Sequence, residues 1–223
     1  MANKILLVSV QQTIDVIGLK YLHYSLLENS FDSTILFLPH LEFNDKQLSA
    51  VREFIGKLSP KLIGISLMTI DFVRAARLTA FLKECSSGIP VVWGGYHPTV
   101  DPVQCLEHAD YVFVGEAERA IVEMAHATGQ NKNLNEIKGV CFKKEGQVIK
   151  NPVFPLDDNI DSAYIHDHIP INSFILDKGR ITAMDKIMFK KHDRFEGKML
   201  YLMSSRGCFL SCSYCCNSFF LRL

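Results

Sequence analysis

Residues 61–95 read KLIGISLMTIDFVRAARLTAFLKECSSGIPVVWGG, and this stretch decides the fold. Residues 61–67 form a short apolar run of strand length, with no polar alternation. Residues 71–85 are long enough for four helical turns. Residues 89–93 are β-branched and aromatic apart from Pro90, and Gly94-Gly95 closes them. A strand, a helix and a second strand in this order predict a parallel βαβ unit, since a parallel return needs a crossover. Strands that are apolar throughout are expected to be covered on both faces.

The same unit recurs outward from this stretch. Residues 4–10 are a first strand. Residues 17–28 place Leu19, Leu22 and Leu26 at helical spacing. Residues 34–38 are a strand ended by Pro39. Asn44 with Gln47 three residues on reads as a capping box, and Leu48, Val51, Ile55 and Leu58 share one helical face behind it. Downstream, residues 102–108 read as a short helix, 111–114 as a strand closed by Gly115, and 116–128 as a helix. Five strands alternating with helices predict an α/β fold, a doubly wound and mostly parallel five-stranded sheet over residues 1–130. The rhythm then breaks. Residues 140–143 and 147–150 around Glu145-Gly146 predict a β-hairpin. Residues 152–170 read as a linker, and 171–196 show no clear period, so 131–196 is assigned to hairpin and linker. Residues 198–203 are one more apolar strand, opening a last segment over 197–223.

Composition narrows the function. The 223 residues are 48% hydrophobic, with 24 Lys plus Arg against 24 Asp plus Glu. That excludes disorder over most of the chain and leaves no net positive field for nucleic acid. Lys190, Lys191 and Arg194 make a basic patch too small to change this. No run approaches eighteen apolar residues, so no transmembrane helix is expected. The opening residues read as a strand rather than a signal peptide, which predicts a cytoplasmic protein with reduced thiols.

Four of the seven cysteines lie between Cys208 and Cys216. Cys208, Cys212 and Cys215 are spaced C-x3-C-x2-C directly after the expected strand. Three thiolates on one short loop can hold three irons of a cubane and leave the fourth open to an outside ligand. A structural zinc site wants four closed ligands, which Cys216 or a distant histidine would have to complete.

This loop, with Arg206-Gly207 before the first cysteine and Tyr214 before the third, resembles the cluster loop of the radical S-adenosylmethionine (SAM) superfamily. The resemblance implies that Cys208, Cys212 and Cys215 bind a 4Fe-4S cluster and that Tyr214 lies beside the adenine of S-adenosylmethionine. In that family, reduction of the bound S-adenosylmethionine yields a 5′-deoxyadenosyl radical. It gives Cys216 no role.

Doubly wound sheets bind ligands beyond the carboxyl ends of their strands. The loops there are residues 11–18, Ser66-Leu67-Met68-Thr69, Gly94-Gly95-Tyr96-His97-Pro98-Thr99 and Gly115-Glu116-Ala117-Glu118. Small and hydroxyl residues at neighbouring strand ends leave room for a large flat ligand. No P-loop and no G-x-G-x-x-G follows the first strand, which disfavours nucleotides. These loops resemble the Rossmann-like cobalamin-binding domain that precedes the radical SAM domain in one branch of that superfamily. The resemblance implies cobalamin contacts from Ser66, Leu67, Met68, Thr69, Gly94, Gly95, His97, Pro98, Thr99, Gly115 and Glu116. Better-known cobalamin domains carry D-x-H-x-x-G after the first strand. Here Asp15-Val16-Ile17-Gly18 offers no histidine, so no lower His ligand to cobalt is expected. His23, His108, His126, His166, His168 and His192 read as surface or linker residues.

A radical SAM domain needs further βα units after its cluster loop, so the chain is expected to be an N-terminal portion with a truncated barrel and no complete catalytic site. The resemblance implies a full-length reaction of radical methylation, ring formation or a related transformation, with a flavodoxin- or ferredoxin-like reductant and a small-molecule substrate. The rival expectation is a stand-alone cobalamin or small-ligand module whose cysteines hold zinc or nothing. A phospho-signalling domain is a weaker rival, because Val8-Ser9-Val10 occupies the place where an acidic cluster would be needed.

Overall fold

The computed structural model describes residues 3–130, 132–155, 167–199, 201, 203, 206–210 and 212–217. Its centre is β1 (Lys4–Ser9), which pairs in parallel with β2 (Asp32–Phe37) on one side and β3 (Leu62–Ser66) on the other. β4 (Val91–Gly94) and β5 (Tyr111–Phe113) follow β3 in parallel. Successive β1 residues feed two separate cores. Ile5 and Leu7 pack on one face with residues of α1 (Ile17–Glu28) and α6 (Glu118–Gly129). Leu6 and Val8 pack on the other with α2 (Asp45–Leu58) and α3 (Phe72–Cys85). All four β1 side chains are essentially excluded from water. This double coverage explains the unbroken apolar runs, because side chains alternate faces and both faces are interior.

The α2 start follows its sequence. The Asn44 side chain accepts from the Gln47 amide at 3.0 Å, and the Asn44 amide donates to Gln47 Oε1 at 3.0 Å, closing the reciprocal capping box.

The sheet is wider than the five strands expected. Among the described residues it has nine, in the order β7-β6-β5-β4-β3-β1-β2-β8-β9. The hairpin of β6 (Val140–Lys144) and β7 (Gln147–Lys150) pairs antiparallel with β5 rather than standing apart. On the opposite edge, β8 (Ser173–Asp177) pairs parallel with β2, and β9 (Arg180–Ala183) folds back on it. The segment without clear period therefore supplies a sixth parallel strand, a hairpin and the short helix α7 (Lys186–His192). Residue 130 marks the end of the βα alternation, not the end of the sheet.

Smaller differences follow local chemistry. The loop after β4 contains two short helices, α4 (Tyr96–Val100) and α5 (Pro102–Cys105), where only the second was expected. Pro98 fits the first turn of α4, where a missing N–H costs no helical bond. His23 is not a surface residue. It is fully buried with Nδ1 2.8 Å from the Ser33 hydroxyl. His108 stacks on Trp93 at 5.7 Å between ring centroids. Residues 198, 199, 201 and 203 of the expected last strand are in no ladder. The middle of the expected linker, including His166, lies outside the described residues.

Candidate functional site

The order of strands reverses at β1. The chain moves from β1 to β2 on one side and returns to β3 on the other, so the crevice of the fold opens between the carboxyl ends of β1 and β3. The loops that end β3, β4 and β5 are tied into one edge there.

Ser66 ends β3, level with Ser9 of β1 and Gly94 of β4. Leu67 is buried, and its amide donates to the Gly94 carbonyl at 3.1 Å. Gly95 has φ 109° and ψ −164°, and a Cβ there would stand 2.7 Å from the Leu67 carbonyl oxygen. Only glycine allows this conformation and this approach together. Met68 and Thr69 turn outward. The Met68 amide donates to Asp71 Oδ2 at 3.1 Å. Asp71 is 2% exposed and is paired with the buried Arg74, whose second nitrogen donates to the His40 carbonyl at 3.4 Å. A buried ion pair thus fixes the loop after β3 against the end of β2.

The next stitch runs from β4 to β5. The buried Thr99 hydroxyl donates to the Gly95 carbonyl at 2.8 Å and accepts from the Gly115 amide at 3.2 Å. Pro98 is buried beside it, and Gly115 and Glu116 are half-buried. His97 is 8% exposed. Its Nδ1 lies 3.2 Å from the exposed Thr69 hydroxyl, and its ring meets Phe72 edge-on at 5.1 Å. His97 Nε2 is buried without a hydrogen-bond partner among the described residues. A buried ring nitrogen left so is a group that a ligand can satisfy. The structure therefore brings together all the residues expected after β3, β4 and β5. It adds Asp71 and Arg74 as braces behind them, and gives the expected Thr99 a bracing role of its own. Asp71 and Arg74 stand only three residues apart, and what makes the pair a brace is the long-range bond from Arg74 to the His40 carbonyl, which no motif announces.

Around this edge several apolar side chains are exposed, among them Met68, Ile70, Tyr96 and Val100. In the loop after β1, Asp15 accepts from the Thr13 hydroxyl at 3.1 Å. Burial, and then the nearby Asp193 carboxylate, push the Asp15 carboxyl above its ordinary range despite that bond. Lys20 beside it is pushed down, by burial. No histidine lies in this loop.

The thiols behave differently. Cys208, Cys212 and Cys215 are half-buried, Cys216 is exposed, and none of the seven cysteines forms a disulfide. The Cys215 amide donates to the Cys212 carbonyl at 3.1 Å, which curls the loop. Tyr214 is 90% exposed. Among the described residues no three His, Cys, Asp or Glu side chains are gathered closely enough to hold a metal ion. The donor chemistry of three thiols on one short loop suits an iron–sulfur cluster. Cobalamin is the better fit on geometry, through the unpartnered His97 nitrogen beside exposed apolar side chains.

A family model described as the B12 binding domain matches residues 3–125. The chain belongs to the B12-binding domain family. Among its curated relatives, an uncharacterized methyltransferase of Pyrococcus horikoshii is 30% identical over 207 residues, covering 91% of this chain and 40% of the relative. The anaerobic magnesium-protoporphyrin IX monomethyl ester cyclase of Synechocystis is 25% identical over 211 residues, covering 92% of this chain and 38% of that enzyme. Among solved structures, the radical S-adenosylmethionine methyltransferase TsrM of Kitasatospora setae, with cobalamin and a 4Fe-4S cluster bound, matches with a TM-score of 0.62 at 20% identity. The match covers 74% of this chain and 31% of TsrM. The cobalamin-dependent S-adenosylmethionine radical enzyme OxsB matches with a TM-score of 0.60 at 15% identity, over 70% of this chain and 23% of OxsB. The structural likenesses are likenesses of fold. The chain spans about 40% of the length of the curated relatives it matches. No helix among the described residues is long and apolar enough to cross a membrane.

Proposed function

We propose that this chain is the cobalamin-holding and cluster-holding portion of a radical SAM enzyme. The observation that carries the reading is the stitched edge of β3, β4 and β5 within a matched B12-binding domain. Ser66–Thr69, Gly94, Gly95, His97–Thr99, Gly115 and Glu116 would contact the corrinoid or its side groups. Gly95 lets the loops after β3 and β4 close on each other beneath the ligand, Thr99 keeps two backbone groups satisfied behind it, and His97 Nε2 offers a hydrogen bond. Met68 and Tyr96 would lose exposed apolar surface beneath a flat ring. Cobalt would receive no histidine from the loop after β1.

Cys208, Cys212 and Cys215 would hold a 4Fe-4S cluster, with Tyr214 toward the adenine of S-adenosylmethionine. When bound, these groups supply single-electron cleavage of S-adenosylmethionine and a methyl or radical carrier. The relatives named as a methyltransferase and a cyclase support a radical methylation or ring-forming reaction of the whole protein, fed by a small reductant protein. A cytoplasmic setting follows from thiols that must stay reduced.

The test is an anaerobic titration of the purified chain with hydroxocobalamin, read by gel filtration and visible spectrum. Co-eluting cobalamin with a base-off spectrum supports the reading and the absence of a histidine ligand. A folded chain that elutes without cobalamin refutes it. Iron and labile sulfide after anaerobic reconstitution, against zinc, separates the cluster from the rival zinc knuckle.

A further inference from the structure

Arg206 lies two residues before Cys208, and its guanidinium does not face solvent. One nitrogen is 3.2 Å from Glu116 Oε1 and the other 2.8 Å from Glu118 Oε1. Its carbon lies 4.9 Å from the centre of the Tyr21 ring. The three charged side chains are only 18% to 25% exposed. Burial by itself would lower the Arg206 pKa, and the two carboxylates more than offset that and hold it above its ordinary value.

The partners have distinct positions in the fold. Tyr21 lies in α1, Glu118 opens α6, and Glu116 sits in the turn that ends β5. α1 and α6 pack against each other on one face of the sheet. A single guanidinium therefore joins the cysteine loop to two helices and to the edge assigned above to cobalamin. The glutamates do not need it for their own sake, since carboxylates at a helix start are already favoured by the backbone N–H groups. Arginine suits the task, because its flat fork can serve two carboxylates while it stacks on an aromatic ring. Just beyond it, Phe209 is 93% and Tyr214 90% exposed, so those two rings do not anchor the loop.

We infer that Arg206, Glu116, Glu118 and Tyr21 form a positioning clamp that fixes the Cys208–Cys216 loop against the end of β5. The clamp sets where the cluster thiols stand relative to the cobalamin edge. In this respect the inference rests on the function proposed above. The clamp contact itself does not depend on either cofactor.

The test uses the full chain, reduced, anaerobic and free of cluster. Iodoacetamide labelling of each cysteine is followed by mass spectrometry. Cys85, at the end of α3, is the internal reference, and the buried Cys105 and Cys141 report on global unfolding. Loss of charged hydrogen bonds of this kind corresponds to about tenfold in a local opening equilibrium. Arg206→Met is expected to speed labelling of Cys208, Cys212 and Cys215 about tenfold and to leave Cys85 unchanged. Glu116→Gln with Glu118→Gln should do the same, and adding Arg206→Met to that pair should do no more. Arg206→Lys, which keeps the charge and one contact, should restore most of the protection. Saturating hydroxocobalamin should slow loop labelling in the parent and less so in Arg206→Met.

Loop thiols that react equally fast in parent and Arg206→Met would overturn the clamp, as would independent, multiplicative effects of the arginine and the glutamates. An equal effect of cobalamin in both proteins would overturn its link to the cobalamin edge. Should Arg206→Met unfold the chain, Cys105 and Cys141 will react too, and Arg206→Lys with the glutamine pair then decides. A parent that binds no cobalamin defeats the proposed function alone, because the cofactor-free labelling rates still decide the clamp.

Discussion

Gly95→Ala is the sharpest probe of the edge. At φ 109° and ψ −164° the residue occupies a region that is essentially reserved for glycine, and an L side chain forced there costs about 1–3 kcal/mol. The alanine Cβ would also stand 2.7 Å from the Leu67 carbonyl oxygen, 3.4 Å from its nitrogen and 3.6 Å from its carbonyl carbon. These are backbone atoms, and the Leu67 amide is already bonded to the Gly94 carbonyl at 3.1 Å. Relief requires the loops after β3 and β4 to part, which weakens that hydrogen bond by about 1 kcal/mol. The sum is about 2–4 kcal/mol, against a typical domain stability of about 5–15 kcal/mol. The variant should therefore fold and melt early. Urea unfolding by circular dichroism should show a midpoint lower by about 1 M or more. Hydroxocobalamin affinity should fall at least tenfold, since the displaced loops carry Met68, Thr69 and His97. Gly88→Ala is the control: its φ is 89°, and a Cβ there meets nothing within 4 Å. It carries a conformational cost without the collision and should leave cobalamin binding intact. If Gly95→Ala unfolds within about 0.5 kcal/mol of the parent, inside the usual range for an inconsequential surface change, the close approach of the two loops is wrong.

Three further outcomes follow from the same geometry. Thr99→Val keeps the shape but strands the Gly115 amide, and should cost about 1–3 kcal/mol in urea unfolding and weaken cobalamin binding; an unchanged midpoint would remove Thr99 from the brace. Asp71→Asn leaves the buried Arg74 without its counter-charge and should destabilise by about 3–5 kcal/mol, whereas Met68→Ala, 44% exposed, should leave the midpoint alone. Burial pushes the His23 imidazole from 6.5 down to about 4. The folded state therefore refuses a proton that the unfolded chain accepts below pH 6.5. Stability from this group is complete above that pH and declines as pH falls toward 4, by about 2 kcal/mol between pH 7.5 and 5. Unfolding free energies measured at the two pH values check this, and His23→Asn should flatten the slope.

What was legible in the sequence is what local chemistry controls. The capping box at Asn44 and Gln47 needs only four residues, and the structure has it as read. Helix α1 has the bounds its leucine spacing indicates. The loops after β3, β4 and β5 could be found because strand ends and glycines mark them. β8 was not legible, because it is stabilised by Ile35, Leu36 and Phe37, more than a hundred residues earlier in the chain. Its short apolar run shows no two-residue alternation, since a strand paired and packed on both sides needs none. Its hairpin did carry a signal. Lys178-Gly179 has the same pair of positive φ angles as Glu145-Gly146, the turn that was recognised. The bracing bonds of Arg74 to the His40 carbonyl and of Thr99 to the Gly115 amide exist only once the fold brings those partners near.

This division has a physical logic. Groups that hold the edge together are buried and satisfied by one another: the Asp71–Arg74 pair, the Thr99 hydroxyl and the Leu67–Gly94 bond. Groups that face outward are exposed and apolar, as with Met68 and Tyr96, or buried and short of a partner, as with His97 Nε2. A rigid inner layer lets the outer layer remain imperfectly satisfied, because stability does not depend on it. An outer layer with exposed apolar surface and one unmet hydrogen bond gains most from a broad, flat ligand with a few polar substituents. That is the chemistry of a corrinoid, and the same edge receives the arginine that precedes the cysteines. In the function proposed above, fixing both on one layer of loops would keep the two cofactors in register without requiring either to move the sheet.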